Sequence, residues 1–166
     1  GGQEMLRAAK RPSDDGVGRR FRRNPLWGPF GRGIALVVAA VALVVIVFGA
    51  RPTLEGLVGG LPLLPLALLF AAMNSFGEDF GYRAAPLSVL LPAVGVRQSL
   101  LLTAVFFGLY HFNGTPPGVV GVLESCVLGW ILAKSMVETR GFLWAWLIQW
   151  PPDIMVFAIA LFPASG

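Results

Sequence analysis

The sequence predicts an all-α integral membrane protein, a bundle of about five transmembrane helices with one further helical segment that is partly buried or re-entrant. Of its 166 residues, 55% are hydrophobic and 13% are charged, and the mean hydropathy is +0.71. A soluble domain has roughly a quarter of its residues charged. Ten of the 22 charged residues lie in the first 30 positions, so the rest of the chain is nearly uncharged. That much apolar surface is stable in a bilayer and not in water.

The charge distribution predicts two parts and an orientation. Residues 1–32 hold eight of the 13 basic residues and are expected to form a cytoplasmic flank that lies on anionic lipid headgroups. Residues 33–163 are expected to form the transmembrane domain. The positive-inside rule places the N-terminus in the cytoplasm and, for alternating spans, the C-terminus outside. Because this rule accounts for the basic flank, we expect membrane lipids as partners and no nucleic acid.

The helices are predicted from uncharged runs that are separated by Gly, Pro and Asn turn residues. Residues 84–96 are too short to cross a bilayer alone. They are predicted to continue a helix that starts near Glu78. The predicted spans are 33–50, 56–77, 98–112, 119–133 and 141–162.

Polar residues within the spans are the candidates for function, because an ionisable side chain in a bilayer costs about 3 kcal/mol or more. The alternative for each is a structural ion pair or a helix–helix hydrogen bond. A single cysteine and a single histidine exclude a cysteine-cluster metal site and any site that needs two histidines. We therefore expect no metal and no cofactor. The candidates are Glu78, Asp79, Arg83, His111, Glu124, Gln149 and Asp153.

The spacing of the first three candidates assigns them different roles. Asp79 and Arg83 are four residues apart on one helix face, which predicts a structural ion pair. Glu78 is rotated about 100° away from Asp79 and lacks that partner. A carboxylate in a poorly solvated place is suited to act as a general base.

The remaining candidates complete the predicted site. His111 is expected to position a water molecule or to protonate a leaving group, although a lone histidine in a span is more often a packing residue. Gln149 is expected to donate a hydrogen bond to an oxyanion, with Asp153 beside it, and the alternative is a polar clamp between helices. Glu124 has no evident partner and is expected to face either the same cavity or a partner subunit.

The three polar clusters, in this order and spacing, resemble the CPBP family of CAAX prenyl endopeptidases and bacteriocin-processing enzymes, also called the Abi family. The family shows EExxxR, then FxxxH, then HxxxN or HxxxD on membrane helices. The corresponding segments here are 78–83, 107–111 and 149–153, with Gln149 where the family has histidine. The resemblance implies a glutamate peptidase that needs no zinc. Glu78 would activate water, His111 would assist, and Gln149 and Asp153 would stand at the oxyanion side.

Three functions are compatible with these residues. The first is a peptidase that cuts a peptide or membrane-protein substrate near the bilayer surface. The second is a catalytically degenerate member, a pseudoenzyme that binds or scaffolds partner subunits of a membrane complex, because glutamine cannot carry a proton as histidine can. The third is a small transporter with a carboxylate relay, which the absence of an internal repeat makes the weakest.

Overall fold

The computed structural model describes residues 26–51 and 53–161, so most of the predicted basic flank lies outside the described residues. Within them every regular element is helical, which confirms the all-α prediction. Short π-helical segments at 46–50 and 80–84 and 3₁₀ turns at 61–63 and 111–113 join or extend the helices. The helices are α1 (Trp27–Val45), α2 (Leu54–Gly60), α3 (Leu64–Asp79), α4 (Ala85–Val94), α5 (Val96–Tyr110), α6 (Gly118–Thr139) and α7 (Leu143–Leu161).

Three of the described helical runs are long and apolar enough to cross a membrane, namely Trp27–Phe48, Leu54–Val94 and Gly118–Thr139. A shorter apolar run covers Leu143–Ile159. Large apolar side chains are widely exposed on these helices, as lipid contact requires. The chain is therefore an all-α membrane protein, while the number of crossings and the side of each terminus stay predictions.

The prediction that a new helix starts near Glu78 is wrong, because α2, α3 and α4 follow one another without a break from Leu54 to Val94. The charged stretch does not end the helix, since Asp79 and Arg83 neutralise each other within it. A π-helical segment, Phe80–Ala84, accommodates this stretch. This continuous helix ends at Gly95, whose φ of 80° is accessible to glycine and separates α4 from α5.

The helices pack in pairs around α7. α1 and α3 both lie against α7, α5 packs on α6, and α6 also contacts α7. The buried apolar core draws on α1, α4, α5, α6 and α7. This arrangement places the α3–α7 contact, with its polar side chains, beside the core. The core residues are Trp27, Leu87, Leu100, Leu132, Ala133, Met136, Ala145 and Ile148.

The start of α1 is fixed by polar contacts rather than by packing alone. Trp27 is buried, and its indole Nε1 donates to Glu138 Oε2 on α6 over 2.8 Å. Glu138 also pairs with Lys134, one turn earlier on the same helix. The helix thus begins at Trp27, six residues before the predicted span, and Arg32 lies inside it with its Nε donating to Gly28 O.

The close contact of α5 with α6 depends on Gly108. A Cβ at this position would lie 2.7 Å from the carbonyl oxygen of Val122 and would also meet Cys126 Sγ. We expect Gly108→Ala to lower the thermal unfolding temperature in detergent, because the backbone of α6 would have to move away. Gly33→Ala is the matched control, since a Cβ there meets nothing within 4 Å. The packing account would be contradicted if both variants unfolded at the wild-type temperature or above it.

Candidate active site

The carboxylate of Glu78 is held on both oxygens by neutral amide groups. Gln149 Nε2 on α7 donates to Oε2 over 2.9 Å, and Asn74 Nδ2 on α3 donates to Oε1 over 3.1 Å. Asn74 and Glu78 are four residues apart, so their side chains meet on one face of α3. Glu78 is half-buried and Gln149 is buried. The first and third sequence clusters therefore meet directly.

Asp153 is joined to the same helix one turn earlier. Its Oδ2 lies 2.6 Å from Ser75 Oγ, and its carboxyl also interacts with the side chain of Asn74. Ser75 Oγ lies 2.7 Å from the carbonyl oxygen of Ala71 as well. A hydroxyl has one proton to donate, so both Ser75 contacts are hydrogen bonds only when the Asp153 carboxyl carries a proton. Asp153 thus supports the Asn74–Ser75 side of the site.

Two tryptophans on α7 extend the polar contact with α3. Trp146 Nε1 donates to Ala72 O over 2.9 Å, and Trp150 Nε1 donates to Leu68 O over 3.2 Å. Buried indole N–H groups need an acceptor, and these use backbone carbonyls of the facing helix. The tryptophans therefore fix the register of α7 against α3, which sets the positions of Gln149 and Asp153.

The predicted ion pair forms in the buried interior. Arg83 Nη1 donates to Asp79 Oδ1, and both side chains are fully buried. Four buried polar atoms have no hydrogen-bond partner among the described residues, namely Asp79 Oδ2, Arg83 Nε, Arg83 Nη2 and Gln149 Oε1. Buried polar groups normally find a partner in protein or in ordered water. Of these atoms, Gln149 Oε1 belongs to the amide that donates to Glu78.

Phe107 joins the first cluster to the second. The guanidinium carbon of Arg83 lies 3.8 Å from the centre of the Phe107 ring, in cation–π geometry. The centres of the Phe107 and His111 rings are 4.2 Å apart. Phe107 therefore has a physical role in its motif, because it covers the buried cation on one side and supports the histidine on the other.

The backbone fixes which nitrogen of His111 is available. Nδ1 lies 2.8 Å from the carbonyl oxygen of Phe107, which only accepts, so Nδ1 is the protonated nitrogen. Nε2 is then free to accept a hydrogen bond. His111 and Glu78 make no direct ion pair or hydrogen bond. Tyr82, one turn after Glu78, has ring contacts to Phe107 and Tyr110 and an electrostatic interaction with Glu78. That one water joins Glu78 to His111 stays a prediction.

Of the seven sequence-predicted residues, five lie together, His111 reaches them only through Phe107, and Glu124 stands apart. Glu78, Gln149 and Asp153 lie on facing sides of the α3–α7 contact, and the Asp79–Arg83 pair lies next to them. Glu124 is exposed on α6 and makes no ion pair within the described segments. In that part of the chain no three histidine, cysteine, aspartate or glutamate side chains are grouped to hold a metal ion.

Asn74, Ser75 and Tyr82 take part in these contacts although the sequence predicted no role for them. For Asn74 a signal was present, since an amide four residues before a carboxylate on one helix predicts a hydrogen bond. Tyr82 follows Glu78 by the same spacing. The Ser75–Asp153 contact had no such signal, because it joins helices 78 residues apart in the chain.

We expect Asp79→Ala to lower the free energy of unfolding by about 3–5 kcal/mol, because it leaves the buried Arg83 charge without a partner. Asp79→Glu, which restores the family's residue, keeps the ion pair and costs less. Lys134→Ala is the control, since its pair with Glu138 is partly exposed and is worth about 1 kcal/mol or less. The measurement is a denaturant titration of detergent-solubilised protein, followed by tryptophan fluorescence. Equal losses for Asp79→Ala and Lys134→Ala would contradict the account.

A comparison with known families matches the part of the chain that holds the three clusters. The model of the type II CAAX prenyl endopeptidases, Rce1-like, matches residues 59–155. The chain therefore belongs to this Rce1-like family, which is the CPBP family that the motifs resemble. No curated protein and no solved structure gave a match. The matched range runs from α2 into α7 and contains all three clusters.

Proposed function

We propose that this protein is an intramembrane peptidase that hydrolyses a peptide bond near the membrane surface with water activated by Glu78. The observation that carries the proposal is the environment of the Glu78 carboxylate. Two neutral amides orient it, while the neighbouring Asp79 takes the Arg83 cation. Arg83 pairs directly with Asp79 and acts on Glu78 only through a longer-range electrostatic interaction. An oriented carboxylate without a directly bonded cation keeps lone pairs with which to accept a proton from water.

The proposed reaction follows from these positions. Glu78 takes a proton from water as the water oxygen bonds to the carbonyl carbon of the substrate. The carbonyl oxygen becomes an oxyanion, and the second amide proton of Gln149 is available to stabilise it. The C–N bond then breaks, and the leaving nitrogen takes the proton from Glu78. His111 accepts a hydrogen bond from the water through Nε2, which orients the water before attack.

Asp153 has a positioning role in this proposal. It is hydrogen-bonded to Ser75, the residue after Asn74, and therefore acts on Glu78 through the position of Asn74. The substrate class is a peptide or membrane protein whose scissile bond reaches the bilayer surface. The family's description favours a C-terminal CAAX-type sequence as the first to be tested.

A degenerate, non-catalytic subunit is the second candidate. Gln149 favours it, because its amide donates to Glu78 and, unlike histidine, gives no proton to the reaction. In that case the polar contact of α3 with α7 serves to fasten the two helices. The chain would then act by holding partner subunits in a membrane complex.

We expect Glu78→Gln to reduce peptide cleavage at least about 100-fold, because the general base is lost. The assay uses the full chain in lipid vesicles with internally quenched CAAX peptides, both prenylated and unprenylated. Glu55→Gln is the matched control, since Glu55 is an exposed glutamate in the first turn of α2. Equal cleavage by wild type and Glu78→Gln would overturn the peptidase proposal, and no cleavage by folded wild type would favour the degenerate subunit.

The Gln149→His variant distinguishes the peptidase from the non-catalytic subunit. We expect it to raise cleavage at least about tenfold, because an imidazole keeps a donor for the oxyanion and can also transfer protons, and general acid–base catalysis is worth about 10²–10⁴ in rate. Gln149→Leu should lower cleavage and also lower stability, since it removes the hydrogen bond to Glu78. Cleavage that is unchanged in both variants would contradict the role proposed for Gln149.

A further inference from the structure

Glu124 is a carboxylate on an apolar, outward-facing strip of a helix that is long enough to cross the membrane. It is the seventh residue of α6, which spans Gly118–Thr139. Its neighbours one turn before and one turn after, Val120 and Val127, are 58% and 62% exposed, and Leu123 beside it is 60% exposed. We call these four residues the acidic face of α6.

Nothing in the described part of the chain neutralises Glu124. The described cation on the same helix, Lys134, is about 15 Å away along the axis at 1.5 Å per residue, and it already pairs with Glu138. The interior of the bundle offers no contact either, because the side chain points outward. Ionisable residues in spans almost always face the bundle interior or pair with another group.

A second copy of this chain does not supply the missing charge. Two copies inserted the same way pair through a twofold axis along the membrane normal, which places identical residues opposite each other at equal depth. The acidic face would then set Glu124 against Glu124, which is a repulsive contact between like charges. Among the described residues none supplies a positive charge beside Glu124, whereas a transmembrane helix of a different protein can.

We propose that the acidic face of α6 docks a transmembrane helix of another protein that carries a lysine or arginine at the depth of Glu124. The apolar residues of the face pack against that helix, and the ion pair fixes its depth and rotation. The contact excludes lipid from both charges. This inference does not depend on peptidase activity, because the acidic face shares no residue with the Glu78 site.

The test uses a defined probe, a 22-residue leucine–alanine transmembrane peptide with one lysine at its seventh position. Energy transfer between labelled peptide and labelled full chain in phosphatidylcholine vesicles reports association. We expect the lysine peptide to bind about tenfold more tightly than the all-apolar peptide, as for other interhelical polar contacts in bilayers. Glu124→Gln should remove that preference, and Glu124→Lys paired with a glutamate peptide should restore it.

Further variants and outcomes decide for or against the proposal. Val127→Leu keeps the face apolar and should leave the preference for lysine in place. An equal affinity for the lysine and apolar peptides, or a preference that persists in Glu124→Gln, would overturn the proposal. Energy transfer between two copies of the chain that exceeds transfer to the lysine peptide, and that Glu124→Gln abolishes, would identify a second copy as the occupant and would also overturn it.

Discussion

The site depends on one constraint, which is that a polar group inside a lipid-embedded bundle finds its partners in the protein or in trapped water. Glu78 meets this constraint through the amides of Gln149 and Asn74. The hydrogen bond from Gln149 has two consequences, since it fastens α7 to α3 and also orients the carboxylate. Structure and proposed chemistry therefore rest on the same contact, and removing either partner changes both.

This arrangement explains physically why the three motifs occur together. The first motif lies at the centre, and each of the others reaches it by a different contact. The third motif meets it by the hydrogen bond from Gln149 to Glu78, and Asp153 is bonded to Ser75, one turn before the first motif. The second meets it through Phe107, which covers the Arg83 guanidinium and supports the histidine ring. A spacing of four residues within each motif brings two side chains to the same side of the chain, namely Asp79 with Arg83, Phe107 with His111, and Gln149 with Asp153.

The sequence predicted the fold class and the Asp79–Arg83 ion pair because these signals are local. Uncharged runs give membrane helices, and the four-residue spacing of Asp79 and Arg83 gives their ion pair. The predicted helix start near Glu78 is absent from the structure, because uncompensated charge ends an apolar span, whereas the compensated pair of Asp79 and Arg83 does not. Contacts between distant segments, such as Ser75 with Asp153, depend on packing that no local pattern encodes. The outward direction of Glu124 likewise follows from packing, since an acid in a span is expected to face inward.

The most direct test of the account is an experimental structure of the full chain in a lipid nanodisc, at a resolution that shows ordered water. We expect one water within about 3 Å of both the Glu78 carboxylate and His111 Nε2, with Gln149 still donating to Glu78. An imidazole that faces lipid, or a Glu78 carboxylate separated from it by packed side chains with no room for water, would contradict the account and leave a helical membrane protein without a hydrolytic centre.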